Sequence, residues 1–323
     1  MALVILGMSA ITFALTNVVP GNPARLLAGP HATQAQVDAL AEQYKLNGPL
    51  LERYGAYMGG LLHGDLGMSV TTRRPVLDDL REFLPATLEL TGAALLITLV
   101  VGLPLGIVSA MKPGRLVDHL SRGLAIIGVS MPVFWLGLIL QVVFYKNLSL
   151  LPVGGRLDTF DFEPPRVTGS YLVDALLAGD VTLFGSALTH LILPAATLAV
   201  GSLAIITRMT RASLLETMSA DFVRTARAKG LGNGQVMVRH VFRSALVPTL
   251  TVIGLQVGYL LAGNFLVESV FNWPGIGLYA VGAIHNLDYA AIMGVTLLIS
   301  VIYVLVNLIV DLLYAALDPR ITY

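Results

Sequence analysis

Arg224, Arg227 and Lys229 crowd together in the last third of the sequence, with Arg208 and Arg211 before them and Arg239 and Arg243 after, although only 12% of all residues are charged. Such a cluster can do electrostatic work: it can dock against a partner, or fix which side of a membrane a loop occupies. Covalent chemistry is harder to find. Gly128-Val129-Ser130 with His190 as base would make a membrane serine hydrolase, but a GxS triplet is expected by chance among 32 glycines. The segment Gly230 to Gln235 has the glycines of a phosphate loop and lacks its lysine and preceding strand. No HExxH occurs, and the six histidines lack metal-ligand spacing, so no catalytic residue and no metal site is assigned. With no cysteine, disulfides, thiol catalysis and Cys-ligated metals are excluded. A net charge of zero offers no bulk argument for nucleic-acid binding.

The basic residues need an element to hold them. From Ser219 to Gly230 the signals predict a short helix: Ser219 as N-cap, Asp221 in the first turn, Lys229 near the end and Gly230 as the stop. Phe222, Val223 and Ala226 share one face, which is too small to anchor a globular core and is expected to dock into a groove on another protein. On that expectation Ala226→Asp would disturb docking and spare insertion. The plainer reading is a positive loop that only sets orientation.

The rest of the chain supplies the frame. Of 323 residues, 55% are hydrophobic, and mean hydropathy is +0.77. This composition predicts an all-α, polytopic membrane protein, since soluble domains carry roughly 25% charged residues. Six spans are expected: 1–19, then 86–110, 121–145, 185–207, 245–267 and 289–313. Residues 20–85 form a polar loop with short amphipathic helices, 208–243 a basic loop, and 316–323 a tail. No basic n-region precedes the first span, so it reads as a helix rather than a signal peptide. Lys112, Arg115 and Arg122 outnumber Asp118, and the seven cations of 208–243 outnumber Glu216 and Asp221. Lys146 to Phe184 is acidic on balance, and Glu268 to Asp288 has no lysine or arginine. The positive-inside rule then places both termini and the basic loop in the cytoplasm.

Few polar groups interrupt the spans. Glu89, Glu268 and Asp311 fall near span ends, where interfacial placement or snorkelling would accommodate them. The fifth span combines Gln256 and Asn264 with Gly254 and Gly258, a small-xxx-small spacing that permits close helix approach. Gln256, Asn264 and Glu268 are therefore candidates to line a translocation pathway, against the alternative of plain helix packing. Pro104, Pro132, Pro194 and Pro248 recur within spans, as membrane helices tolerate.

The stretch VRTARAKGLG (Val223 to Gly232) resembles the cytoplasmic coupling loop of ABC-importer permeases, in the form found in the dipeptide, oligopeptide and nickel branch. Arg224-Thr225-Ala226 stands where the general pattern has Glu-Ala-Ala, and Gly230 matches its glycine. Further matches follow in order: Pro20 to Pro23, the GDLG of Gly64 to Gly67, the outer-loop segment Glu268 to Gly277 with Trp273, Pro274, Gly275 and Gly277, and the ending Asp311 to Tyr323. Family members usually start with basic residues before the first helix, so their absence here suggests a clipped or unusual start.

The resemblance implies the type I ABC importer permease fold, and a non-enzymatic inner-membrane subunit forming half of a pathway for di- or oligopeptides or a related solute. It implies a second permease subunit, two ATP-binding subunits carrying ATP and Mg, an extracytoplasmic solute-binding protein and surrounding membrane lipid as partners. No cofactor is expected on this chain. Asp221, Phe222, Arg224, Thr225, Ala226, Arg227, Ala228, Lys229 and Gly230 would form the ATPase-coupling helix. The alternative is a passive channel or solute-gated receptor that needs no ATPase.

Overall fold

A computed structural model describes residues 2–18, 25, 32–43 and 48–317. The matches at Pro20 to Pro23 and at 318–323 lie outside the described residues, as do Met1 and Val19. Among the described residues nearly all regular structure is helical, and the one β-bridge pairs Met68 with Pro75. Helices α1 (Ala2–Val18), α2 (Gln34–Gln43) and α3 (Leu50–Leu62) precede α4 (Val76–Ile97), which continues through a π-helical turn at Thr98–Gly102 into α5 (Leu103–Met111). Then come α6 (Leu116–Ser130), α7 (Val133–Leu140) with its π-helical end Gln141–Asn147, α8 (Tyr171–Ala178) and α9 (Val181–Ser219). The short α10 (Asp221–Ala228) and α11 (Asn233–Val236) lead through a π turn at Met237–Phe242 into α12 (Arg243–Phe271), then α13 (Ile276–His285) and α14 (Tyr289–Leu317).

Four stretches are long and apolar enough to cross a bilayer: Val76–Met111, Val181–Ser219, Asn233–Leu261 and Tyr289–Leu313. The pair Leu116–Ser130 and Val133–Asn147 makes a fifth if it is one span, but it bends by 108°. This pair covers the third span expected over 121–145, and the bend falls at its Pro132. Pro132 pushes the residue before it out of the helical region, and Met131 is extended (φ −92°, ψ 133°). The first expected span is apolar but shorter, over Leu3–Ala14. The basic loop expected over 208–243 is mostly helical: α9 runs on to Ser219, and the helix of the next span begins well before Ala245.

The chain divides into two compact units, one of Met1–Thr87 with Pro274–Val304 and the other of Leu88–Trp273 with Leu305–Tyr323. The first is built on Val76 and Leu80, which pack with Ile276, Tyr279, Ala283, Ala291 and Val295. Its loop His63 to Pro75 is fastened to Asp288, which accepts from the Ser69 hydroxyl (2.6 Å) and the Thr71 N–H (3.0 Å).

The second unit is organised around α9. Asp180 caps its start by accepting from the Leu183 N–H at 2.9 Å. Glycines let its neighbours approach. A Cβ at Gly106 on α5 would lie 2.7 Å from Thr210 Cβ and 2.8 Å from the Thr207 carbonyl oxygen. One at Gly128 on α6 would lie 2.8 Å from a Val200 methyl. Any larger residue there would separate the helices. Thr207 donates to the Gly102 carbonyl (3.1 Å), and Gln141 to the carbonyls of Val153 (2.7 Å) and Val270 (3.1 Å), closing gaps where the backbone departs from α geometry.

Candidate functional site

Helix α10 carries the coupling-loop resemblance. Its entry differs from the expected one. Ser219 is the last residue of α9 and donates to the Glu216 carbonyl (2.7 Å), so it does not cap α10. Ala220 is the extended residue at the N-cap (φ −69°, ψ 148°), and its carbonyl accepts from the N–H groups of Val223 and Arg224. At the other end Gly230 is left-handed (φ +78°). Its N–H reaches the Arg227 carbonyl (3.0 Å) and the Leu231 N–H reaches that of Ala226 (3.4 Å), the paired bonds of a Schellman turn.

The faces of α10 also differ from expectation. Val223 is fully buried and Ala226 is buried beside it, in a cluster with Ala110, Leu214, Val236, Val241 and Ala245. That cluster belongs to this chain, so Val223 and Ala226 are anchors and not docking residues. Ala226→Asp would therefore disrupt the chain's own core. Phe222 stays 45% exposed, and Asp221, Arg224, Thr225, Arg227, Ala228 and Lys229 share the open side. The exposed Arg224–Asp221 pair (3.5 Å) adds little stability at such a surface. Ser213 donates to the Ala245 carbonyl (2.9 Å) and joins α9 to α12 beside this cluster. The result is a short cationic helix fixed by one apolar edge to α5, α9 and α12.

Gln256, Asn264 and Glu268 lie on one face of α12, and all three are buried within the chain. Asn264 donates to Thr91 Oγ1 at 2.6 Å, binding α12 to α4. This matches helix packing better than a water-lined path. Glu268 has no exposed surface, so neither interfacial placement nor snorkelling describes it. Gly254 behaves as its spacing suggests: a Cβ there would meet Val310 at 2.7 Å.

Trp273 is not exposed as an interfacial tryptophan would be. It is buried, with the Arg156 guanidinium 5.5 Å from its ring centroid. Pro274 is half-buried, Gly275 precedes α13 in extended geometry (φ −112°), and Gly277 is buried within that helix. The Ile276 N–H is held by the Thr87 hydroxyl at 2.8 Å.

Two ionic hubs escaped the sequence. Glu89, expected near a span end, is buried and paired with Arg156, while Ser170 Oγ (2.7 Å) and the Leu172 N–H (2.9 Å) donate to its other oxygen. Arg156 also lies 3.6 Å from the Tyr171 ring centroid. Nearby, Asp174 orders the approach to α8. Burial raises its pKa, but the N–H groups of Thr168, Gly169 and Val167 and the Thr168 hydroxyl outweigh this and leave it below the ordinary value. The second hub is Asp118, which takes two bonds from Arg211 (2.6 and 2.9 Å), one from Ser109 Oγ (2.6 Å) and one from the Gly114 N–H (2.9 Å). Charges in an apolar chain mark such residues out, but the partners lie far apart in sequence and no spacing rule joins them.

Residues 102–323 match the family described as binding-protein-dependent transport system inner membrane component, and residues 1–91 match the N-terminal region described for the same kind of membrane component. Among curated proteins, the chain is 50% identical to the probable D,D-dipeptide transport system permease protein of Escherichia coli, over 99% of this chain and 94% of that one. It is 43% identical to the dipeptide transport system permease protein of Alkalihalophilus pseudofirmus (99% and 96%). It is 44% identical to the di/tripeptide transport system permease protein of Pseudomonas aeruginosa (98% and 94%). In structure it is similar to a chain of the MetNI methionine ABC transporter in an inward facing conformation, with a TM-score of 0.51 and 18% identity, covering 72% of this chain and 93% of that one. A helical membrane chain with a cationic helix pinned to its core, matched to these relatives over nearly its whole length, belongs to the family of binding-protein-dependent transport system inner membrane components, as a permease subunit of an ABC importer.

Proposed function

We propose that this subunit forms half of the translocation pathway for dipeptides or similarly short peptides, and that α10 is its coupling helix. A solute-binding protein delivers peptide on the outer side. A second permease subunit supplies the other half of the pathway, and two ATP-binding subunits carry the ATP and Mg. One of them grips the exposed face of α10, namely Phe222, Arg224, Arg227 and Lys229. Six spans with both termini in the cytoplasm place that face where an ATPase can reach it. The peptide solute is inferred from the relatives named for dipeptide and di/tripeptide transport.

The observation that carries this reading is the burial of Val223 and Ala226 among Ala110, Leu214 and Ala245. A force on the open face passes directly to α5, α9 and α12, because packed side chains transmit displacement. ATP-driven closure then needs only to bias two arrangements of these helices by a few kcal/mol. The test replaces Phe222 by Ala and Arg224 and Arg227 by Glu, with the chain reconstituted alongside its co-purified partners. Peptide uptake should fall at least tenfold while the amount of inserted chain is unchanged. Uptake at the normal rate would exclude α10 as the point of coupling.

A further inference from the structure

A cleft between α6 and α9 takes no part in the reading above. Arg122, Ile126 and Val129 on α6 face Ala204, Arg208 and Arg211 on α9 around a cavity of about 440 Å³. The two helices run in opposite directions here, since Gly128 meets Val200 while Asp118 meets Arg211. The three arginines therefore gather at one end and the apolar side chains extend from the other. Asp118 neutralises Arg211. Arg122 lies 3.8 Å from the same carboxylate and donates to His119 Nδ1 at 2.9 Å. Arg208 is exposed and makes no ion pair among the described residues. Two of the three guanidinium groups thus share one carboxylate and the third has no ion pair among the described residues, beside an apolar wall.

We propose that this cleft holds an anionic phospholipid, with its headgroup phosphate between Arg122 and Arg208 and the start of an acyl chain along Ile126, Val129 and Ala204. Guanidinium groups bind phosphate in a planar, two-pronged geometry. Basic groups at the end of a membrane span attract anionic lipid headgroups. A free anion would satisfy the arginines and leave Ile126 and Val129 without an occupant. The inference rests on α6 and α9 spanning the membrane, and it does not require α10 to contact an ATPase. A lipid held there would brace α6 against α9, the helix that leads into α10.

The test is native mass spectrometry of the chain, with its co-purified subunits, released from nanodiscs of equal phosphatidylglycerol and phosphatidylcholine. One phosphatidylglycerol per chain should stay bound after other lipid is stripped. Each arginine replaced, in R122Q and R208Q, should weaken retention about fivefold, the equivalent of ~1 kcal/mol per cation. R208K should keep most of it, and the variants should retain wild-type thermal midpoints in phosphatidylcholine alone. Equal retention of the two lipids, or undiminished retention in the double variant, overturns the proposal. Displacement of the lipid by millimolar inorganic phosphate also overturns it, by showing a free-anion site. Peptide uptake by the same variants reconstituted in sealed proteoliposomes reports on the coupling reading separately.

Discussion

Two of the segments that carry family-like sequence, the stretch on and after α10 and the stretch 268–277, are treated by the fold in opposite ways. The first buries one edge, Val223 and Ala226, and leaves Phe222, Arg224 and Arg227 in the open. The second is more buried: Glu268, Phe271, Trp273 and Ile276 turn inward, and only Ser269 and Asn272 are exposed. A recognisable motif can therefore mark a contact surface in one place and a structural core in another. Charge distinguishes the two. Of the first segment's three cations only Arg224 has an ion pair among the described residues, whereas the cation beside Trp273 of the second, Arg156, is paired with the buried Glu89.

The comparison can be broken most severely at Arg156. Arg156→Ala strands Glu89 and removes the cation over Tyr171, so it should cost about 3–5 kcal/mol, as loss of one partner of a buried ion pair does. Thermal unfolding in detergent and the yield of inserted chain would report it; a shift of only a degree or two would mean the hub is not structural. Ala226→Asp comes next, at about 3 kcal/mol for a carboxylate forced into an apolar cluster. It should reduce yield and thermal midpoint together, and wild-type stability in this variant would return Ala226 to the docking face. Gly230→Val should cost about 1–2 kcal/mol, because the site has room for a side chain but a left-handed backbone. The smallest stability effect is expected from Arg224→Glu, within about 0.5 kcal/mol as for other exposed substitutions, although it should depress peptide uptake.

Much of this architecture was legible from apolar runs alone. The apolar runs over 86–110, 185–207 and 289–313 fall within long helices, and the stop at Gly230 is present, because hydropathy and backbone chemistry are both local. The orientation of α10 about its axis was not, since Phe222, Val223 and Ala226 look equally apolar and only the distant Ala110 and Ala245 decide which turn inward. The same holds for Gln256, Asn264 and Glu268. Their shared face was readable, but the Thr91 hydroxyl that receives Asn264 belongs to another helix. The sharp bend after Met131 was signalled by Pro132, yet a proline in a membrane helix is as compatible with a mild kink as with a break.

The account turns on what touches the open side of α10. Because these 323 residues include no cysteine, Phe222→Cys gives this chain one reactive thiol, at a known place on α10, and the unsubstituted chain in the same complex serves as the control. With a bifunctional thiol–amine reagent, the cysteine should cross-link to an ATP-hydrolysing subunit, and the yield should change when ATP is bound or removed. A residue that reacts only from the outer side of sealed vesicles, or that forms no adduct with such a subunit in an actively transporting complex, would contradict the account.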